Sequence, residues 1–484
     1  MHSSVSHKVF GICFMLCSMC LPAKSQTPET NAYARAFADS TLTYEKYIEL
    51  VEDFHPVSRI ADYNVELAER DLRRSRGGFD PALYGNYDTK EFKETRYYEY
   101  LNAGIEVPTW MGLSLHGGYE SARGDFLNPE KTTPGAGLVS AGLKAQLGAG
   151  LLMDKRRAAL RQAQVGLEQG ELDRILMRNR LYFEATTAYY RWSFAEEALA
   201  IAREAVELAT FRYDAVRQNF RFGDVPAIDT VEAYTQVLNR LNGLRAAQSD
   251  WVAALNIAEV YLWDDGEIAR EIPPGIRPET LEPRENFTEG LPLVIDNQHP
   301  ELRKLRTRSD FLDIERRLAA EYLRPQVELR YNFLSEYVEN RAQDEFFQNT
   351  GFFDNNYTFG AAVYYPLFLR EARGKVGMAK IKMGVVDQEF TNLDATLTAD
   401  LNALLVRYQN LRDQIGYMGQ NVEYLGRLLD GERALFLNGE SSLFLINARE
   451  TQLVDAQNVY VDLLARARIL YAEIRTTAGE GFEE

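Results

Sequence analysis

Two stretches of this chain interrupt a long helical run in the same way. Residues 220–236 read FRFGDVPAIDTVEAYTQ and residues 436–452 read FLNGESSLFLINARETQ. Laid over each other without a gap, they pair Phe220 with Phe436, Gly223 with Gly439, Thr235 with Thr451 and Gln236 with Gln452, at a constant offset of 216. Each break ends a run without proline, from Lys155 to Phe222 and from Arg373 to Asn438. In the first run Trp192, Ala195, Leu199, Ala202, Val206, Ala209, Tyr213, Val216 and Phe220 step alternately by three and four. The duplicate positions run from Tyr408 through Leu411, Ile415, Met418, Val422, Leu425 and Leu429 to Phe436, and only Glu432 interrupts the stripe. A mean step near 3.5 residues marks helices that supercoil around neighbours. From Arg157 to Gly223, and from Arg373 to Gly439, are 66 residues each. At 1.5 Å per residue that is a rod of about 100 Å, where globular helices average about 11 or 12 residues. Beyond each break a returning helix is expected, Val231 to about Trp263 and Ile446 to about Ile474.

The duplication reaches further back. His55-Pro56 aligns with His299-Pro300, Pro81 with Pro325 and Tyr87 with Tyr331 at an offset of 244, while Arg157 falls on Arg373 and Ala163 on Ala379 at 216. The first copy is therefore longer by 28 residues, all between Tyr87 and Met153. In the second copy Val327, Leu329, Tyr331 and Phe333 alternate with Gln326, Glu328, Arg330 and Asn332, the period of a strand with one apolar face. Phe359, Ala361, Val363 and Tyr365 supply a returning strand. The first copy holds PALYGNY, YYEYLNAGIEV, GLSLHGGYE and AGLVSAGLKAQL in the same place. Its extra length suits one more strand pair, with Val107-Pro108-Thr109 as a turn and the polar loop from Ser121 to Gly135 at the opposite rim. The reading divides the chain into a first repeat, 26–264, with strands about 82–149, a helical hairpin about 154–264 and a tip at 223–226. A linker at 265–285 follows. The second repeat, 286–478, has strands about 325–366, a hairpin about 373–475 and a tip at 438–441, before an acidic tail at 479–484.

The opening residues have the pattern of a secretory signal peptide, 1–25. Lys8 precedes an apolar core from Val9 to Leu21, and Ala23-Lys24-Ser25 offers small residues for cleavage before Gln26. Cys13, Cys17 and Cys20 all lie inside it, so the expected mature chain has no disulfide, thiol nucleophile or cysteine-bound metal. Its removal takes the formal charge from −17 to −19, a poor balance for a nucleic-acid partner. No later apolar run approaches the roughly 20 residues of a membrane-spanning helix, so any passage through a bilayer would be made by strands. Catalytic signals are missing. His55, His116 and His299 are the histidines of the expected mature chain, and no HExxH, Walker A or GxSxG sequence occurs. His55 and His299 hold equivalent repeat positions, which points to a shared place at helix entry. An enzyme is not expected, nor any catalytic, cofactor or metal site.

This order of elements resembles the TolC-like outer-membrane efflux proteins over nearly the whole expected mature chain. The resemblance implies an α+β membrane protein, with transmembrane β-barrel strands, very long coiled-coil α-helices and two repeats per chain. It further implies a homotrimer that completes the barrel, set in the lipid outer membrane with a long periplasmic extension. Such a duct is passive, and its partners would be a periplasmic adaptor and an inner-membrane transporter. Gly223, Asp224, Val225 and Pro226, with Asn438, Gly439, Glu440 and Ser441, would be the periplasmic tips that touch the adaptor. Asp229 stands where the family places an acid near the tunnel entrance; the same residue would also complement a helix dipole. The matching position of the second tip is Leu445 in place of the family's frequent Asp, so Phe436 and Leu445, with Phe444, suggest a more apolar constriction. Local chemistry agrees with two turns. Glycine suits helix ends, Asp224 and either Ser441 or Ser442 can cap the next helix, and Pro226 suits a first turn. The rival reading is a periplasmic coiled-coil adaptor or scaffold without a pore, which would not need strands with one apolar face.

Overall fold

The computed structural model describes residues 37, 39–264, 266, 268–283, 292–296, 298–336, 356–438 and 440–481. The signal peptide, parts of the linker, Gly439 and the end of the acidic tail lie outside the described residues. In chain order the elements are β1 (Thr41–Leu42), α1 (Tyr44–Phe54), α2 (Pro56–Arg76), β2 (Ala82–Phe92), β3 (Thr95–Pro108), β4 (Leu113–Arg123), β5 (Leu138–Gly148), α3 (Lys155–Phe222) and α4 (Ala227–Glu259). There follow β6 (Arg277–Pro278), α5 (Pro300–Glu321), β7 (Gln326–Glu336), β8 (Tyr357–Tyr364), α6 (Arg370–Leu437) and α7 (Leu443–Thr477). The two rods, α3 and α6, are 68 residues each. Both returning helices begin a turn earlier than the sequence suggested, at Ala227 and Leu443.

The expected stripe is the packed face of the rods. Trp192, Ala195, Leu199, Ala209 and Val216 are buried on α3, as are Tyr408, Leu411, Ile415 and Leu429 on α6. Leu425 is half-buried, and Phe220 remains exposed near the tip. Toward the hairpin ends the helices lie in the order α4, α3, α7, α6, since α3 packs on α4 and α7, and α6 packs on α7. Toward the sheet, α2 and α5 take the places of α4 and α7 beside the rods. Between the two levels a collar forms around Trp192, Tyr189 and Tyr47, all fully buried. The Tyr189 hydroxyl donates to Leu42 O at 2.7 Å and the Tyr47 hydroxyl to Ala258 O at 2.9 Å. Short parallel pairing of β1 with β6 closes the collar.

Both histidines sit at helix entry. His55 precedes α2 and its Nδ1 accepts from Val57 N–H at 3.2 Å; His299 precedes α5 and its Nδ1 accepts from Glu301 N–H at 3.2 Å. Each is followed by a proline at the first helical position, where no N–H is needed. Burial holds both imidazoles below the ordinary value of 6.5. The neutral ring is the capping form, so the folded state binds fewer protons than the unfolded chain. Stability is full above about pH 6.5 and declines as pH falls through the lowered values. Replacing each histidine with Asn keeps an acceptor and removes the titration. Melting curves from pH 8 to pH 5 should therefore flatten in His55→Asn/His299→Asn, while the Ala variants lose roughly 1 kcal/mol per cap at pH 8. An Asn double variant with the parent's pH profile would contradict this role.

Among the described residues six long strands form one antiparallel sheet in the order β2-β3-β4-β5-β7-β8. Four come from the first repeat and two from the second. Val107 and Pro108, expected in a turn, instead pair with Leu115 and Ser114 inside the ladder; the turn is Thr109–Gly112, held by Thr109 N–H to Leu113 O at 2.8 Å. Pairing preserves the alternation from strand to strand: Leu83 opposes Ile105, Leu115 opposes Leu143, Leu143 opposes Tyr331, and Tyr331 opposes Phe359. One face is thus apolar across all six strands. It is also uncovered, with Leu83 at 83%, Val363 at 71% and Phe359 at 60% exposure. The other face is polar and carries Ser114, Ser140 and the Lys144–Glu328 ion pair at 3.2 Å.

Candidate functional site

The chain reverses twice at the far ends of the rods. Gly223 ends α3 in the left-handed conformation, φ 84°, where a side chain would be strained. Its N–H bonds to Phe220 O and the Asp224 N–H reaches Asn219 O at 3.0 Å, the double closure that satisfies carbonyls at a helix end. Pro226 stands just before α4 as its cap residue, and no side chain caps this helix. Asp224 is therefore not a cap, contrary to expectation. Its carboxylate is left on an exposed corner. At the second tip Glu440 N–H bonds to Leu435 O at 2.9 Å, and the Ser442 hydroxyl caps α7 by accepting from Leu445 N–H at 3.4 Å. Ser442 is the capping serine of the pair; Ser441 donates to Glu432 instead.

The two tips meet. Val216, Ala233 and Leu443 form a buried cluster, with Tyr213, Val225 and Phe436 packed against it. Beside it a cleft of about 450 Å³ is lined by Asp224, Val225, Pro226 and Asp229 from the first tip and by Phe436, Ser441 and Phe444 from the second. The structure thus brings Asp229 and Phe436 together with four of the expected tip residues, Asp224, Val225, Pro226 and Ser441. Phe436 spends part of its surface holding one hairpin against the other. Leu445 lies outside the cleft and is 39% exposed; Asn438 and Glu440 are exposed on the second turn.

A group of residues that the sequence did not single out lies just behind the tips. Arg212 on α3 donates to Asn447 Oδ1 and Glu450 Oε1 on α7, each at 2.6 Å. Asn447 Nδ2 reaches Glu232 Oε1 on α4 at 3.2 Å, and Arg240 donates to Thr451 Oγ1 at 2.8 Å. Arg433 on α6 approaches the same Glu450 oxygen at 3.6 Å. Glu450 and Asn447 are 3% and 5% exposed. All four rod and return helices contribute, so the network ties the first hairpin to the second. A buried charge of this kind is tolerable only while paired. Glu432, the one break in the apolar stripe, is buried nearby against Ser441 and Arg449. That break was a readable signal; Arg212 and Glu450 carried none, because charges on helices are ordinarily solvated.

No protein-family model matches the sequence, and no curated protein sequence does. Solved structures do. The chain is similar to the CmeC outer membrane channel of Campylobacter jejuni, at 14% identity and a TM-score of 0.65 over 91% of this chain and 86% of that one. It is likewise similar to the outer membrane protein VceC of Vibrio cholerae, at 16% identity and a TM-score of 0.63 over 91% and 96%. A third is the open state of the MtrE outer membrane channel of Neisseria gonorrhoeae, at 14% identity and a TM-score of 0.61 over 91% and 89%. At such identities the likeness is one of fold, and it spans nearly the full length of both partners. The chain has the fold of the outer-membrane channels that its duplicated rods and strands resemble.

Proposed function

We propose that this chain is the outer-membrane exit duct of a tripartite efflux or type I secretion system. It would conduct small molecules or secreted proteins passively, from a periplasmic adaptor and an inner-membrane transporter to the exterior. One observation carries the reading: the sheet is apolar and bare on one face and polar on the other. A sheet of a periplasmic adaptor or scaffold would bury its apolar face against protein. Here lipid is the natural cover. Strands of 11 residues, β2, β4, β5 and β7, are about 36 Å long and rise about 28 Å when tilted by roughly 40°, close to the hydrocarbon thickness of a bilayer. Trp110, Leu152, Leu367 and Phe368 are exposed at the end of the sheet nearest the helices, where a barrel carries its interfacial belt.

A sheet with two free edges cannot stay open in lipid, because its edge N–H and C=O groups would lack partners. The edges are β2 and β8. The helical layer has matching free edges: α4 exposes Val231, Tyr234, Leu238 and Leu241, and α6 exposes Tyr417, Tyr424, Leu428 and Leu435. Copies of the chain would join edge to edge into one barrel and one tunnel, as a homotrimer. The two repeats, 26–264 and 286–478, then supply wall and tunnel twice over per copy. The tips at 223–226 and 438–441 would dock the adaptor. Asp229, Phe436 and Leu445 would form the entrance, held shut while the polar network keeps the hairpins together. Purified protein reconstituted into a planar bilayer tests the reading. Discrete current steps are expected; protein that stays in the soluble periplasmic fraction and never conducts would favour the scaffold.

A further inference from the structure

Arg191 on α3 and Arg407 on α6 are duplicate positions, 216 residues apart, and the fold brings both to one groove. The groove has a volume of about 790 Å³ and lies between α3, α7 and α6. It opens on the face of the helices that the collar leaves bare. On α3 the collar side is marked by Thr186, whose hydroxyl meets the Tyr44 hydroxyl at 2.9 Å; Arg191 is five residues on, about 140° further round. On α7 the Arg468 guanidinium donates to Glu282 O, in the segment after β6, at 3.1 Å, and Arg466 of the groove stands about 160° away from it. The same face continues the polar side of the sheet. Arg156 precedes Arg191 by 35 residues, a whole number of heptads, and shares a smaller cleft with Ser114 and Lys144 of the polar sheet face.

Charge in the groove is unbalanced. Asp462 is tied to Arg466 at 2.7 Å, which leaves Glu473 against Arg191 and Arg407. Neither of these two arginines has a hydrogen-bond or ion-pair partner among the described residues, and both are exposed. Other arginines of the rods hold a glutamate one turn away, as Arg180 holds Glu184 and Arg427 holds Glu423. No acid stands three or four residues before or after Arg191 or Arg407. Beside them the groove is apolar, lined by Phe194, Ile469 and a Val406 that is 57% exposed. We propose that this groove is a solute-binding station on the tunnel wall and that its solute is an organic anion. The two guanidinium forks take the carboxylate, sulfonate or phosphate through paired N–H groups, and Phe194, Val406 and Ile469 take the apolar body. The proposal rests on the duct reading above and adds to it the class of solute. An inorganic anion gains nothing from the apolar side chains, and an organic cation of the same shape meets like charge.

Isothermal titration of the full-length protein, purified in a non-ionic detergent, tests the site with naphthalene sulfonate as the probe. The parent should bind it, and Arg191→Gln/Arg407→Gln should bind it about tenfold more weakly or worse. Arg203→Gln removes an exposed charge of α3 outside the groove and should keep the parent's affinity. Sulfate alone and naphthylmethylammonium should bind all three proteins weakly. Equal affinity of the parent and the double variant for the sulfonate would overturn the proposal, as would binding of the naphthyl cation as tight as that of the sulfonate. The same probe, added to the reconstituted protein, should lower the parent's current and leave that of the double variant unchanged. Binding with no effect on the current would put the groove off the conducting path and overturn the proposal while leaving the duct intact. A parent that never conducts would overturn the duct reading, and with it the groove's place on a tunnel wall.

Discussion

Leu199→Asp is expected to abolish the folded duct. Leu199 is 1% exposed, in the seam where α3 meets its neighbours. The substitution forfeits the transfer free energy of a buried leucine and places a carboxylate with no partner in its position, together about 4–5 kcal/mol. Tyr424→Asp is the informative contrast. Tyr424 lies on the free edge of α6 and is 62% exposed in the single copy. Its replacement should leave the chain folded and weaken only the joining of copies. Circular dichroism with unheated gels separates the two: loss of helix for Leu199→Asp, and retained helix with a lost oligomer band for Tyr424→Asp. A stable oligomer carrying Leu199→Asp would mean that the packed face of the rods has been assigned to the wrong side.

The second large effect is local to the tips. Glu450→Ala leaves Arg212 buried without its carboxylate, at a cost of about 3–5 kcal/mol for breaking one side of a buried pair. Replacing both partners, Arg212→Met with Glu450→Leu, should recover most of that loss, since paired apolar groups avoid the desolvation cost altogether. The two hairpins are tied through this pair, so the single variant should separate them. Faster amide exchange at α4 and α7 and a larger current from the reconstituted protein are the expected readouts. Exchange unchanged from the parent would show that Val216, Ala233 and Leu443 hold the tips without help from the charges.

Much of this architecture is legible in the sequence. The rods are readable because the stripe from Trp192 to Phe220, repeated from Tyr408 to Phe436 inside runs without proline, has no other use than side-by-side packing. The sheet is readable because Val327, Leu329, Tyr331 and Phe333 keep a period of two, and His55 and His299 are readable as caps because the duplication sets both before a proline. Errors came where local rules gave way to pairing. Pro108 suggests a turn, yet at the last position of β3 it forfeits a single ladder donor and stays paired with Ser114. Asp224 suggests a cap, but the left-handed Gly223 turns the chain so that Pro226 takes that place. The network was invisible for a different reason. Arg212 and Glu450 are 238 residues apart, on helices that only the packing of one hairpin against the other brings together.

As an exit duct, the chain would cross the outer membrane with its sheet, its loops outside and its tips about 100 Å away in the periplasm. Because every cysteine of the chain falls within residues 1–25, single cysteines report cleanly once that segment is removed. Asn128→Cys marks the exposed loop between β4 and β5, and Asp224→Cys marks the first tip. Intact cells are treated with a bulky maleimide that cannot cross the outer membrane, then treated again after permeabilisation. Asn128→Cys should be labelled in intact cells, and Asp224→Cys only after permeabilisation. Protection of Asn128→Cys, or labelling of Asp224→Cys from outside intact cells, would contradict the duct reading.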